Sequence, residues 1–258
     1  MSNDTRLIMG MHAVGAALRE GNRVTELWLD ARRRDTRVRE LREYAETHQV
    51  PLHTTSTEQL NQLVHQDNHQ GVVARIRLPP VHDEPYLKAL LKRLRHVPFL
   101  LVLDGVQDPH NLGACLRTAD AAGVQAVIIP RDKSVGLTAT VCKVASGAAQ
   151  TVPLVQVTNL VRTLKWLKQA GIWLIGTAGE ASQSLYQADL CGPIGIVMGG
   201  EGKGLRRLTR EQCDLLVKLP MAGKVESLNV SVATGVALYE AVRQRTGSRA
   251  GIDQATIS

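Results

Sequence analysis

Three segments of the chain carry the residue types that bind and activate ligands. The first, LDGVQDPHNLGACLRTADAAG, runs from Leu103 to Gly123. Its apolar start reads as a strand ending at Asp104, then a loop with Pro109 and a helix closed by Gly123. Asn111 stands where a helix N-cap belongs and Arg117 lies three residues from Asp120, so both also have a purely structural reading, as cap and as intrahelical pair. The second, IVMGGEGKGL, spans Ile196 to Leu205 and sets Gly199, Gly200, Gly202 and Gly204 after a buried strand. Such glycines let backbone amides approach a ligand closely, and one acid, Glu201, stands among them. This is not a Walker A loop, because Lys203 is followed by Gly204 rather than Ser or Thr. It also misses G-x-G-x-x-G, whose third glycine position is Leu205, and Asp104-Gly105-Val106-Gln107 lacks the glycines of a dinucleotide turn. The third, LPMAGKVESLNVSVATGVALYEAVRQR, runs from Leu219 to Arg245. A long helix is predicted from Ser227, with Ser231, Ala233, Thr234, Gly235 and Ala237 small enough for close packing. Structurally, Ser227 is then an N-cap and Gly235 a helix contact.

These segments need a scaffold, and the pattern around them supplies one. Apolar runs at Phe99–Leu103, Val124–Ile129, Ile172–Ile175, Ile194–Met198 and Leu215–Leu219 alternate with helix-like stretches such as Leu112–Ala122 and Leu160–Gln169. That alternation predicts an α/β domain with a parallel sheet covered on both faces. Upstream, Leu78–Pro85 packs Pro79, Pro80 and Pro85 into a predicted linker, followed by a short basic helix with Leu87, Leu90, Leu91 and Leu94 at helical spacing. The domains are therefore expected at 1–78 and 97–247, joined by 79–96, with a polar, frayed tail over 248–258. In the first domain His12–Glu20, Arg37–His48 and Thr57–Val64 look helical, and Glu26–Leu29 and Gly71–Leu78 extended. Arg32, Arg33, Arg34, Arg37, Arg39 and Arg42 form either a solvated face or a phosphate-contacting patch.

Composition bounds the partners. The 258 residues carry 31 Lys and Arg against 24 Asp and Glu, a net charge of +7 that suggests a polyanion. Aromatics make up 3%, too few for a protein that stacks a run of bases. Cys115, Cys142, Cys191 and Cys213 lie far apart, which fits reduced core thiols rather than disulfides or a zinc site. His65 and His69 are four apart but have no third ligand in view, so no metal is expected. With neither a signal-peptide pattern nor a membrane-length apolar run, a soluble cytoplasmic protein is expected.

Together the three segments resemble the signature motifs of the SpoU family of RNA ribose 2′-O-methyltransferases, in the SPOUT superfamily. The resemblance rests on Asn111-x-Gly113-x-x-x-Arg117-Thr118-Ala119, Gly199-x-Glu201-Gly202-x-Gly204 and Ser227-Leu228-Asn229-Val230-Ser231, in that order over residues 97–245. Gly10-x-His12-Ala13-Val14 and His69-Gln70-Gly71-Val72 are similar to the family's substrate-binding domain, an α/β fold of the L30 ribosomal type. Through His69-Gln70-Gly71 and the run from Asp108 to Arg117, the whole chain also resembles the bacterial enzymes that methylate a guanosine of 23S rRNA in the loop holding the P-site tRNA end. The resemblance implies a deep trefoil knot in the C-terminal domain, a homodimer through that domain, and S-adenosylmethionine bound at Thr177, Gly179, Gly199, Leu219 and Leu228. It implies Asn111, Arg117, Glu201, Ser227 and Asn229 as catalytic residues, with 23S rRNA or a large-subunit assembly intermediate as partner and no membrane. His12, His69, Arg32, Arg33 and Arg34 are the candidate RNA contacts; for His12 and His69 a place in the domain core is the other reading. A tRNA ribose methyltransferase and a non-catalytic RNA-binding assembly factor are the alternatives.

Overall fold

The computed structural model describes residues 5–19, 24–65 and 68–255; of these, the side chains of His12, Ala16, Arg19 and residues 248–255 lie outside the description. The chain divides into two compact units, residues 1–80 with 137–147, and residues 81–136 with 148–258.

In the first unit, β1 (Thr5–Met9), α1 (Met11–Arg19), β2 (Val24–Asp30), α2 (Thr36–Thr47), β3 (Leu52–Thr55), α3 (Thr57–Val64) and β4 (Val72–Arg77) follow one another. The strands form one mixed sheet in the order β1-β4-β2-β3, with only β2 and β3 parallel. Leu27 and Leu29 of β2 alternate inward, and Val38, Leu41 and Ala45 make the buried stripe of α2. α3 starts on a capping box, in which Ser56 accepts from the amide of Gln59 and Gln59 reaches back to the Ser56 amide.

The second unit begins before the helix that was predicted as linker. Asp83 caps α4 (Glu84–Arg93), so Pro85 sits in the first helical turn, where its missing donor costs nothing. Leu87 is fully buried against Leu160, Leu164 and Leu167, which places the helix in this unit's core. The remaining elements are β5 (Phe99–Asp104), α5 (Pro109–Ala121), β6 (Ala126–Pro130), α6 (Ala139–Ala145, within the stretch that groups with the first unit), α7 (Ala148–Thr151), β7 (Leu154–Val157), α8 (Leu160–Gln169), β8 (Trp173–Thr177), β9 (Gln183–Ser184), β10 (Ile194–Gly199), α9 (Arg207–Arg210), β11 (Leu215–Lys218) and α10 (Val230–Ala255).

The seven strands run in the order β7-β6-β5-β10-β8-β11-β9, and every pairing is parallel. Leu100 and Val102 of β5 face the α4–α8 layer, while Leu101 and Leu103 are equally buried. Continuous burial of this kind is what a doubly covered parallel sheet requires. α5 and α10 pack on one another and α10 reaches β10. Cys115 of α5 donates to Thr234 of α10 at 3.6 Å inside that contact, and burial pushes its thiol up to about 11. Burial likewise drives Cys213 up to about 12, so neither thiol supplies a nucleophile.

Candidate active site

The sheet order brings the carboxyl ends of β8, β10 and β11 together, and a cavity of about 400 Å³ opens just beyond them. This is where open parallel sheets hold ligands. Thr177 and Gly179 line it from the end of β8, Gly199 to Glu201 from the end of β10, and Leu219 and Met221 from the segment after β11. Ser227, Leu228 and Asn229 close it at the start of α10. All five residues expected to hold a cofactor therefore line one cavity, together with Glu201, Ser227 and Asn229 from the expected catalytic set.

The glycine loop has a different reason from the one the sequence suggested. A Cβ on Gly199 would lie 2.1 Å from the Gly204 carbonyl carbon, and one on Gly200 would lie 2.5 Å from the Gly105 oxygen. These two glycines are required by the chain's own backbone rather than by a ligand. The loop turns back on itself, with the Gly204 amide donating to Gly200 at 3.2 Å and the Gly200 amide to Asp104 at 3.0 Å.

Polar side chains from all three segments meet at the cavity mouth. Asn111 Nδ2 donates to Glu201 Oε1 at 2.7 Å, and Asn229 Nδ2 donates to Asn111 Oδ1 at 3.0 Å. Asn229 Oδ1 in turn accepts from the amide and hydroxyl of Ser231, at 2.9 and 2.6 Å. Two predicted caps change as a result. Asp108 caps α5 through the His110 amide, which frees Asn111 to bridge from the first turn. Asn229, not Ser227, caps α10, and Ser227 is exposed on the cavity wall. Gly235 faces Thr118, yet a Cβ there would make an ordinary 3.8 Å contact, so packing does not demand glycine.

The residue the sequence did not single out is Asp104. Its buried carboxylate accepts from the Arg206 amide at 3.0 Å and from Arg206 Nε at 2.6 Å, pinning the segment that follows the glycine loop. An acid closing a strand is a weak signal on its own, and its partner is 102 residues away. Arg117 is exposed on α5 and does not line the cavity of its own chain.

In the first unit, His69 is 2% exposed, and both ring nitrogens are engaged. Nδ1 accepts from the Gly71 amide at 2.9 Å, so Nε2 carries the proton donated to Asn61 Oδ1 at 2.6 Å. This placement favours the core reading of His69. The side chain of His12 lies outside the description. Arg33 bonds Asp35 and the Gln70 carbonyl, and Gly71 has a φ of +71°, a left-handed conformation that side chains rarely adopt, which explains the glycine in the His-Gln-Gly segment. Arg32 and Arg34 are exposed, with Arg32 3.8 Å from Glu58. Asp30 anchors this loop: its pKa is lowered, first by the Thr57 hydroxyl bond and then by the Arg32 amide. Among the described residues no group of three His, Cys, Asp or Glu is placed to hold a metal. No described helix is long and apolar enough to cross a membrane.

Known proteins share this architecture. The model of the SpoU rRNA methylase family matches residues 98–239, and that of the RNA 2′-O ribose methyltransferase substrate-binding domain matches residues 7–81. The chain is 59% identical over 240 residues to the 23S rRNA (guanosine-2′-O-)-methyltransferase RlmB of Pseudomonas aeruginosa, covering 93% of this chain and 96% of that protein. The enzyme of the same name from Shewanella oneidensis is 57% identical, over 93% of this chain and 97% of its own. Among solved structures, the SpoU methyltransferase AviRb from Streptomyces viridochromogenes in complex with AdoMet superposes with a TM-score of 0.71 at 26% identity, covering 95% of this chain and 92% of its own.

Proposed function

The chain belongs to the SpoU rRNA methylase family, and on that premise we propose that it transfers a methyl group from S-adenosylmethionine to the ribose 2′-hydroxyl of a guanosine in 23S rRNA. The observation that carries this reading is the bridge from Glu201 through Asn111 to Asn229, which ties the three motifs together at the mouth of the cavity. The cavity fits the cofactor: its volume of about 400 Å³ is within the usual range for small-ligand sites, and its walls are largely glycine backbone and apolar side chains. Thr177, Gly179, Gly199, Leu219 and Leu228 would hold it. When bound, the cofactor supplies a methyl group on a positively charged sulfur, which needs no further activation as a leaving group.

The chain's own task is to place the ribose oxygen and stabilise the charge that grows on it. Glu201 is held by Asn111 through one carboxylate oxygen, which leaves the other to accept from a ribose hydroxyl. Ser227 and Asn229 orient the sugar from the start of α10. Arg117 carries a delocalised guanidinium, which is a poor base, so it stabilises the forming alkoxide and steers a phosphate. Its position outside its own chain's cavity supports a homodimer through this domain, in which one protomer's Arg117 serves its partner's site. The family's trefoil knot, an L30-type RNA-binding role for the first unit and a cytoplasmic location belong to the same reading. So does a large-subunit assembly intermediate as the form of rRNA met in the cell.

The test is to incubate the chain with labelled S-adenosylmethionine and undermodified 23S rRNA or tRNA in parallel, then map the label. Incorporation at one guanosine of 23S rRNA is expected. Label in tRNA alone would move the substrate to tRNA, and none in either RNA, with cofactor bound, would leave a non-catalytic RNA-binding protein.

A further inference from the structure

A second cavity lies on the same edge of the sheet, apart from the glycine loop. The ends of β6 and β7 and the segment around α9 enclose about 540 Å³. Its walls carry Lys133, Arg207 and the start of α8 at Asn159 and Leu160. Asn159 takes the Arg162 amide on its side chain at 3.0 Å and the Thr163 amide on its carbonyl at 3.1 Å. The Leu160 and Val161 amides precede the first intrahelical bond and sit at the positive end of a ten-residue helix.

Thr209 points independently to a ligand. It lines this cavity, is 1% exposed, and its Oγ1 is a buried side-chain polar atom without a hydrogen-bond partner among the described residues. A buried hydroxyl in that state is costly unless something outside the chain accepts its proton. The surrounding charges favour an anion. Lys133 makes no ion pair among the described residues, and Arg207 is held only by exposed Glu211 at 2.5 Å, a pair that exchanges easily. Arg206 is already committed to Asp104. The one acid on the wall, Asp132, lies 3.8 Å from Arg131.

We propose that this cavity is a phosphate subsite for the RNA backbone, binding a nucleotide away from the one that is methylated. Lys133 and Arg207 supply charge, the amides at the start of α8 bond one oxygen, and the Thr209 hydroxyl donates to another. The proposal rests on RNA being the substrate, and it extends that reading to a contact that neither the cavity at β8 and β10 nor the first unit provides.

The test compares Lys133→Gln and Thr209→Val with the wild-type chain, measuring affinity for a 23S rRNA fragment across a salt series. Lys133→Gln is expected to weaken binding and reduce the slope of log affinity against log salt by about one. Thr209→Val replaces a hydroxyl by a methyl of the same shape; it is expected to weaken RNA binding about tenfold with the slope unchanged and the melting temperature equal or higher. Wild-type affinity and slope in both variants would overturn the subsite. So would a melting shift with inorganic phosphate that Lys133→Gln abolishes while RNA binding stays intact, because the cavity would then take a free anion. A wild-type chain that binds RNA but transfers no methyl group would sink the methyltransferase reading and leave the subsite to be judged by the salt series.

Discussion

The two ends of the seven-stranded sheet use similar polar side chains for opposite purposes. At the amino end, Arg245 donates from Nε to Leu190 at 2.9 Å and from one terminal nitrogen to Gly192 and Pro98, at 2.6 and 3.3 Å. Its guanidinium also lies 4.4 Å from the Phe99 ring centre. A cavity of about 530 Å³ adjoins it, larger than the 400 Å³ cavity by the glycine loop and close to the 540 Å³ of the second one at the other end. At the carboxyl end, Asn111, Glu201 and Asn229 are also bonded, but to one another, with capacity left over at a convergence of three loops. Cavity size does not separate the two ends. What separates them is whether the polar groups close the chain on itself or hold one another ready for something else.

That contrast predicts different failures. The largest effect belongs to Arg117. Arg117→Ala should lower kcat by about 10²–10³, as loss of a group stabilising a developing oxyanion does. Arg117→Lys should restore little, because a lysine lacks the planar fork; steady-state kinetics with near-wild-type turnover would show that the fork does not matter. Asp104→Asn comes next and should cost both functions. Removing a buried charge partner destabilises by about 3 kcal/mol, reduced here because Arg206 is half-exposed, and the glycine loop should loosen. Denaturant unfolding and the KM for cofactor measure the two losses, and a change in stability alone would disconnect Asp104 from the site.

At the amino end, Arg245→Met should cost about 1–3 kcal/mol from carbonyls left without a donor, while activity per folded molecule stays at the wild-type level. A fall in kcat there would erase the contrast. The smallest effect concerns Glu240, whose bonds to Arg243, and less to Gln244, hold its pKa down to about 2 against an ordinary 4.5. A depressed folded pKa gives stability that is complete above the ordinary value and is lost as pH falls toward 2. Glu240→Gln should therefore melt below the wild type at pH 7, and the gap should narrow steadily below pH 4.5. A gap independent of pH would assign the loss to packing.

Much of this was legible in the sequence, and the limits have physical causes. Buried strands such as Phe99–Asp104 and Ile194–Gly199 announce themselves because a doubly covered sheet is apolar throughout. β7, only Leu154–Val157, is too short to stand out beside Pro153. Caps were misplaced where candidates lie close together: Asp108 and Asn111 both suit α5, and Ser227 and Asn229 both suit α10. Tertiary contacts decide among them, since Asn111 is drawn to Glu201 and Asn229 to Asn111. The motifs placed eight of the expected cofactor and catalytic residues on one cavity wall. Pairs such as Asp104 and Arg206 or Asn111 and Glu201, roughly a hundred residues apart, become visible only when the sheet order closes the distance.

On the proposed function, this carboxyl-end site methylates a ribose oxygen. A 2′-O-methyl group removes the hydroxyl that attacks the neighbouring phosphate in alkali, so the linkage beside it survives hydrolysis. The direct measurement is alkaline digestion of 23S rRNA labelled by this chain, with identification of the labelled product. Label confined to an alkali-resistant dinucleotide that begins with guanosine is the predicted result. Label in a mononucleotide would place the methyl group on a base and contradict the account.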